Sequence, residues 1–345
     1  MSDTGRRLSE RERSVVRALS ADPTPVAELA ELTASSREAL GGILDALEED
    51  GLELRREAGT VAVVDAVGFT PATIEYGLEA PVAVEFHDRI ESTNDRARKL
   101  AANGVRNVAV VAAEQPAGRG RRGREWAGPP GGVYASVVLD GPIEPTDAGL
   151  LTFAGAVATA EAIEGAGGDP AITWPNDVLL RDAPEAGETE PPSATKSATA
   201  SGSEDAVARS SRGAPKVAGV LAESATSDGA LEWAVVGVGA NVDVPLTALP
   251  PGATSLAAAG VSLSRRAFLQ SMVERLVEAP EDLARVRREW KRRSATLDRP
   301  VRVERAEDVL EGVAVDVTET GALMVDSGTD TVEITAGDVV HVRPQ

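Results

Sequence analysis

Seven consecutive residues, Gly118-Arg119-Gly120-Arg121-Arg122-Gly123-Arg124, combine four guanidiniums with three glycines, and Trp126 follows closely. Charges this dense repel one another unless an anion sits among them. Arginine suits planar, bidentate contact with phosphate or carboxylate. Glycine lets the backbone wrap a ligand at dihedral angles that other residues avoid. The stretch therefore reads as a flexible loop that closes on an anion; the plainer alternative is a solvated basic loop. It also matches Gly-x-Gly-x-x-Gly, but the dinucleotide fingerprint needs a helix straight after the glycines. Here Pro129-Pro130-Gly131-Gly132 and a β run follow instead.

Other polar groups fall at element ends. Ser92-Thr93-Asn94 opens a helix, where such residues act as N-caps or join free N–H groups in binding a polar ligand. Trp174-Pro175-Asn176-Asp177 interrupts an apolar run, and Asn-Asp there is either a turn former or a ligand clamp. Lys216 begins a strand, and Gly237-Val238-Gly239-Ala240-Asn241 places glycines where something must approach the backbone. The chain has no cysteine and only His87 and His341, which excludes disulfides, thiolate zinc sites and a cysteine nucleophile. No metal-ligand set is read from the sequence.

The elements that must hold these groups are legible as apolar runs. Val108–Ala113 and Val133–Leu139 read as strands on either side of the arginine-glycine loop. Leu150–Ile163 reads as a buried helix. Ala171–Leu180 reads as a strand broken by Trp-Pro-Asn-Asp, and Lys216–Glu223 and Leu231–Asn241 read as further strands. Residues 181–215 are rich in Pro, Ser, Thr, Ala, Gly and Glu, and read as a disordered insertion. If that insertion is a hairpin loop, Asp177 and Lys216 meet at its base. Two helices, near 264–279 and 281–293, close this part.

Residues 1–70 predict three helices and a hairpin, a winged helix-turn-helix. Ser9 to Glu12 is a capping box, Thr24-Pro25 opens the second helix, and Ser35-Ser36-Arg37-Glu38 caps the third. Such a unit usually reads DNA through its third helix. That assigns Ser36 and Arg37 there, with Arg55 and Arg56 on the hairpin, as candidate DNA contacts. Glu38, Asp45, Glu48, Glu49 and Asp50 argue for a structural or protein-contact role instead. Residues 71–82 read as a connector, and 297–345 as short strands forming an SH3-like barrel.

The net charge is -20, lysine is scarce beside arginine, and aromatics make up 3%. Such a surface suits a salty medium that screens self-repulsion. With no apolar leader or membrane-length apolar run, a soluble cytoplasmic protein without membrane association is expected.

Gln115 to Trp126 closely resembles the signature loop of biotin–protein ligases. Ser92-Thr93-Asn94, Trp174-Pro175-Asn176-Asp177, Lys216-Val217-Ala218-Gly219 and Gly237–Asn241 follow in that family's order. The layout is similar to its bifunctional members, whose winged helix represses biotin-synthesis genes. The resemblance implies a multi-domain α+β chain. Its parts are a winged helix-turn-helix (1–70), a mixed-sheet α/β catalytic domain like class II aminoacyl-tRNA synthetases (71–296) and an SH3-like C-terminal domain (297–345).

It further implies that biotin and ATP, with Mg²⁺, give biotinyl-5′-AMP, which a lysine of a biotin carboxyl carrier protein then attacks. Ser92, Thr93, Asn94, Gln115 and Ser136 would line the biotin site. Gly118, Arg119, Gly120 and Arg121 would close over biotin and the adenylate phosphate, and Lys216 would sit by the reacting oxygens. Arg124, Trp126, Asn176 and Asn241 would serve the nucleotide, though Trp126 also suits a core and Asn241 a turn. Asp177 would orient the incoming amine, so Arg121, Lys216 and Asp177 form the catalytic set. Operator DNA and a homodimer are the further partners implied. One position departs from the family: Thr173 stands where a lysine usually precedes Trp-Pro-Asn-Asp, and a hydroxyl cannot replace a cation. The competing readings are a biotin-sensing DNA-binding regulator with weak ligase activity, and a lipoate-type ligase, which the arginine-glycine loop disfavours.

Overall fold

The computed structural model describes residues 5–20, 22–123, 125–187, 214–304, 308–335 and 338–341. Its first helix, α1 (Glu10–Leu19), starts at the expected capping box, with Ser9 and Glu12 exchanging backbone and side-chain bonds. A two-residue strand β1 (Thr24–Pro25) precedes α2 (Val26–Leu32), so Pro25 is the N-cap rather than the first helical residue. Thr24 and Pro25 instead pair with Val61 and Thr60 of the hairpin. Helix α3 (Arg37–Glu49) is capped by the Ser36 side chain. Strands β2 (Leu52–Glu57) and β3 (Thr60–Ala66) complete a sheet in the order β1-β3-β2. Val15, Val16, Leu29, Leu40, Leu44 and Leu47 fill a separate small core between these elements.

Where a connector was expected, the chain forms α4 (Pro71–Glu75), all of whose residues are buried. Ala72 joins the N-terminal core, and Ile74 joins the main one. The main sheet contains β4 (Ala83–His87), β5 (Val108–Ala112), β8 (Val133–Leu139), β9 (Pro170–Thr173), β10 (Asp177–Leu180), β11 (Lys216–Ser227) and β12 (Ala230–Ala240). Its order is β4-β5-β8-β12-β11-β10-β9, with β4 parallel to β5 and every other pair antiparallel. Helix α5 (Thr93–Ala102) covers one face through Ala97 and Ala101. The other face carries α6 (Leu150–Gly165), α7 (Arg265–Glu278) and α8 (Leu283–Arg293), where Phe153 stacks on Trp290 at 4.3 Å.

Between β5 and β8 the arginine-glycine stretch is not an open loop. It forms a ribbon of β6 (Gln115–Arg119) and β7 (Glu125–Gly128), joined through a tight turn at Arg121–Gly123. Likewise Ala171–Leu180 is not one interrupted strand but a hairpin, β9 and β10, reversing at Trp174-Pro175-Asn176. The Trp174–Pro175 peptide is cis. Of the expected disordered insertion, residues 181–187 are described, and within them Ala186 is buried and its N–H donates to the Ala253 carbonyl. Residues 188–213 lie outside the described residues.

The C-terminal strands β13 (Arg299–Glu304), β14 (Val309–Val317), β15 (Leu323–Asp326), β16 (Thr331–Ile334) and β17 (Asp338–His341) form an antiparallel sheet in the order β16-β15-β14-β13-β17. Val301, Leu323 and Val325 of this sheet share the main core. Among the described residues, no helix is long and apolar enough to cross a membrane.

Candidate active site

The start of α5 is the base of the site. Ser92 caps the helix by accepting from the Asp95 N–H at 3.2 Å. That leaves the Thr93 N–H, a first-turn donor with no helical partner, to bind the Gln115 Oε1 at 2.8 Å; the Thr93 hydroxyl donates to the same oxygen at 2.9 Å. Ser136, buried on β8, lies 2.8 Å from Thr93 Oγ1 and 2.5 Å from Asn94 Oδ1. The Asn94 amide nitrogen donates to Glu223 Oε2 at 2.9 Å and to the Leu221 carbonyl at 3.2 Å.

Register makes this cluster possible. Gly237 on β12 sits opposite Ser136, and a Cβ on Gly237 would lie 1.9 Å from Asn94 Oδ1. Gly118 is equally constrained, since a Cβ there would come 2.3 Å from Gln115 Nε2. The glycines read in the sequence as close-approach positions thus admit side chains of the site itself.

The arginine-glycine ribbon lies over the helix start. Arg119 reaches Asp95 at 3.3 Å. Beneath it is a pocket of about 260 Å³, whose walls include Ser92, Asn94, Arg119, Gly120, Arg121 and Glu223. The Arg121 guanidinium lies 5.7 Å from the centre of the Trp174 ring, within cation–π range. Arg124 lies outside the described residues.

A second cluster stands on β11 and β12. Gly219 and Gly239 are cross-strand partners, and the Trp126 indole lies across both; a Cβ would meet it at 3.0 and 2.6 Å respectively. Lys216 Nζ is 5.0 Å from the centre of the Trp126 ring and 2.7 Å from Asp177 Oδ1. The expected meeting of Asp177 with Lys216 at the base of the insertion is therefore present. The Trp126 Nε1–H is buried without a hydrogen-bond partner among the described residues, a donor ready for a polar group.

The two asparagines assigned to a nucleotide are engaged with backbone. Asn176 donates to the Val220 carbonyl at 3.0 Å, and Asn241, 3% exposed, donates to the Thr254 carbonyl at 3.0 Å. Thr173, which directly precedes Trp174, lies at the end of β9 and its hydroxyl donates to the Asp177 carbonyl at 3.4 Å. On the N-terminal unit, Arg37 and Arg55 are exposed and Ser36 is spent as a cap. Arg56 is bonded to Asp45 at 2.8 Å and also to Glu48.

Sequence reasoning did not single out Asp95 or Glu223. A single acidic residue directly after the apolar run Val217–Ala222 of β11 was the available signal for Glu223. Its partner Asn94 lies far away in the chain, so only the folded sheet joins them.

Comparison with known proteins agrees with this arrangement. The profile of the biotin/lipoate A/B protein ligase family matches residues 86–241, and that of the biotin protein ligase C-terminal domain matches residues 296–342. A biotin–[acetyl-CoA-carboxylase] ligase of Mycobacterium tuberculosis is 31% identical over 270 residues, covering 73% of this chain and 86% of that protein. The bifunctional ligase/repressor BirA of Bacillus subtilis is 25% identical over 324 residues, covering 88% of this chain and 89% of its own. A biotin protein ligase from Aquifex aeolicus, solved in complex with biotin and ATP, shares the fold with a TM-score of 0.53 at 22% identity, over 76% of this chain and 99% of that one. The helix start, the arginine-glycine ribbon and the lysine on β11 all fall inside the matched span, and on that agreement the chain belongs to the biotin protein ligases of the biotin/lipoate A/B protein ligase family.

Proposed function

We propose that this protein activates biotin with ATP and transfers it to a lysine of a biotin carboxyl carrier protein. In the first step a biotin carboxylate oxygen attacks the α-phosphorus of ATP. The bond to the β-phosphoryl oxygen breaks, and pyrophosphate leaves with Mg²⁺. In the second, the carrier lysine's neutral ε-amine attacks the acyl carbon, AMP departs with the bonding pair, and the amine's proton passes to solvent. Neither step needs a nucleophile from the enzyme, which suits a chain without cysteine. Both bring anions together, so preorganised cations are the main requirement.

The observation that carries this reading is the ion pair between Arg119 and Asp95, which lays the arginine-glycine ribbon across the polar start of α5. In this reading Ser92, Thr93, Asn94, Gln115 and Ser136 receive the polar ring of biotin. Gly118, Arg119, Gly120 and Arg121 close over its carboxylate and the adenylate phosphate. Lys216 stabilises the charge that develops in both transfers. Asp177, beside Lys216, orients the incoming amine. Trp126 leaves the glycine shelf to pack on adenine, and Arg124, Asn176 and Asn241 support the nucleotide from further out. Mg²⁺ is assigned to the triphosphate as part of the substrate complex. A soluble, cytoplasmic setting goes with these substrates. Biotin-dependent exchange of labelled pyrophosphate into ATP tests the first step: exchange that needs biotin supports it, and its absence with native protein contradicts it.

A second reading, a biotin-responsive repressor, is favoured by the extent of the likeness to BirA, which spans 88% of this chain. The N-terminal unit would be a winged helix-turn-helix on a class II synthetase-like catalytic domain followed by an SH3-like barrel. Ser36, Arg37, Arg55 and Arg56 would face operator DNA, and the adenylate would favour a homodimer. The hold of Asp45 and Glu48 on Arg56 weighs against tight phosphate contact. Operator retardation together with light scattering, with and without biotin and ATP, distinguishes the repressor from a ligase with a bracing N-terminal unit.

A further inference from the structure

Glu223 has no place in the reaction as described, yet together with the Leu221 carbonyl it determines which atom Asn94 offers to the site. Its carboxylate and the Leu221 carbonyl can only accept hydrogen bonds. The Asn94 group facing them at 2.9 and 3.2 Å must therefore be the amide nitrogen, and Oδ1 must face Ser136. At the other end of the cluster, the Thr93 N–H can only donate, which fixes Gln115 Oε1 as an acceptor. Between these two fixed acceptors stand the hydroxyls of Thr93 and Ser136.

Three oxygen–oxygen contacts join the group: Thr93 to Gln115 at 2.9 Å, Thr93 to Ser136 at 2.8 Å and Ser136 to Asn94 at 2.5 Å. Two hydroxyls supply two protons. One contact is left short of a proton, so the cluster has spare acceptor capacity and favours a ligand that brings an N–H. Were Asn94 turned over, its amide nitrogen would fill that shortage from within, and a ligand N–H would meet a satisfied group.

We propose that Glu223 is a positioning residue: by holding the Asn94 amide it keeps the cluster poor in protons, and so selects a ligand bearing N–H donors. Asn94 and Glu223 both line the pocket, so an incoming ligand meets the oriented cluster there. This rests on the biotin reading of the pocket, since the cyclic urea of biotin carries such donors and the dithiolane of lipoate carries none. The other bond to the Glu223 carboxylate, from Arg98 at 3.2 Å, leads to Asp95 and on to Arg119, and is a separate link.

The test compares full-length wild type with Glu223→Gln, in which an amide replaces the acceptor-only carboxylate, and with Arg98→Ala, which removes the Arg98 links to Glu223 and Asp95 but leaves the Glu223 carboxylate on Asn94. The expected result for Glu223→Gln is a biotin KM raised by about tenfold, with kcat at saturating biotin and the KM for ATP within about twofold. Its preference for biotin over lipoate falls by a similar factor, and the ¹⁵N-labelled side-chain amide of Asn94 shifts. Arg98→Ala keeps its biotin KM within about twofold. An unchanged biotin KM and an unshifted Asn94 amide in Glu223→Gln would overturn the proposal, as would an equal rise in Arg98→Ala. Wild type that transfers lipoate but no biotin, with an Asn94 amide that still responds to Glu223→Gln, would overturn the biotin reading and uphold the positioning role.

Discussion

Gly237 has no room for a methyl group. Its missing Cβ would stand 1.9 Å from Asn94 Oδ1, and Asn94 cannot retreat while Glu223 and Leu221 hold its nitrogen. The backbone of Gly237 is ordinary strand and accepts alanine, so the clash is with the site rather than with the fold. Gly237→Ala should therefore raise the biotin KM by about tenfold or more with a melting temperature within a few degrees of wild type. Steady-state kinetics beside a thermal melt checks this, and an unchanged KM would show that Asn94 is free to move. Gly239→Ala should act on the other substrate, because its Cβ would meet the Trp126 indole at 2.6 Å. The expected outcome is a KM for ATP raised several-fold with little change for biotin. At this scale the arginine-glycine stretch, the helix-start triplet and the close-approach glycines were readable, because each is a local pattern with a local reason. Glu223 and Asp95 were not, since their roles depend on partners brought together by strand register and helix placement.

At the scale of elements, β4 is the edge that ties the N-terminal unit to the main sheet. Arg6 exchanges both backbone hydrogen bonds with Phe86, a single bridge on that edge, which is otherwise open to pairing with another chain. Beside it Glu85, with a side chain 2% exposed, is bonded to His87 at 2.9 Å, to Arg96 of α5 at 2.5 Å and to Arg7. Burial alone would raise its carboxyl above the usual 4.5, but the bonds from His87, Arg96 and Arg7 outweigh it and hold the group far below. A carboxyl lowered in the folded state stabilises fully above its unfolded pKa. That stabilisation is lost as the pH falls from about 4.5 towards the folded value. Glu85→Gln should cost about 3 kcal/mol near neutral pH, with the gap to wild type narrowing once the pH drops below about 4.5. Denaturant midpoints from pH 7 to pH 3 check the sign, and a gap that stays constant would contradict it. None of this was visible in the sequence, where Arg6, Arg7 and Glu85 are separate charges far apart. The β9–β10 hairpin was missed for a related reason. Proline was read as breaking a strand, whereas Trp174-Pro175 reverses it and Trp174 anchors the turn by donating to the Gly321 carbonyl at 3.0 Å. The continuous apolar runs of β5, β8 and α6 were legible, because these elements are buried along almost their whole length.

For the whole molecule, a net charge of -20 sets the response to salt. Raising the salt from about 0.1 M to about 1 M shortens the screening length from about 10 Å to about 3 Å. That should relieve self-repulsion and raise the melting temperature by several degrees, and a fall would mean that the surface ion pairs dominate instead. Against that charge, the arginine-glycine ribbon and Lys216 place cations at the site. The central claim is that these cations serve biotin transfer although Thr173 supplies no cation beside Trp174-Pro175-Asn176-Asp177. The most direct measurement is transfer of labelled biotin to a biotin carboxyl carrier domain with Mg-ATP, for wild type beside Lys216→Ala. The account predicts transfer by wild type, reduced about a hundredfold or more in Lys216→Ala while the variant stays folded. Native wild-type protein that binds biotin yet labels no carrier, or a Lys216→Ala variant as active as wild type, would contradict it.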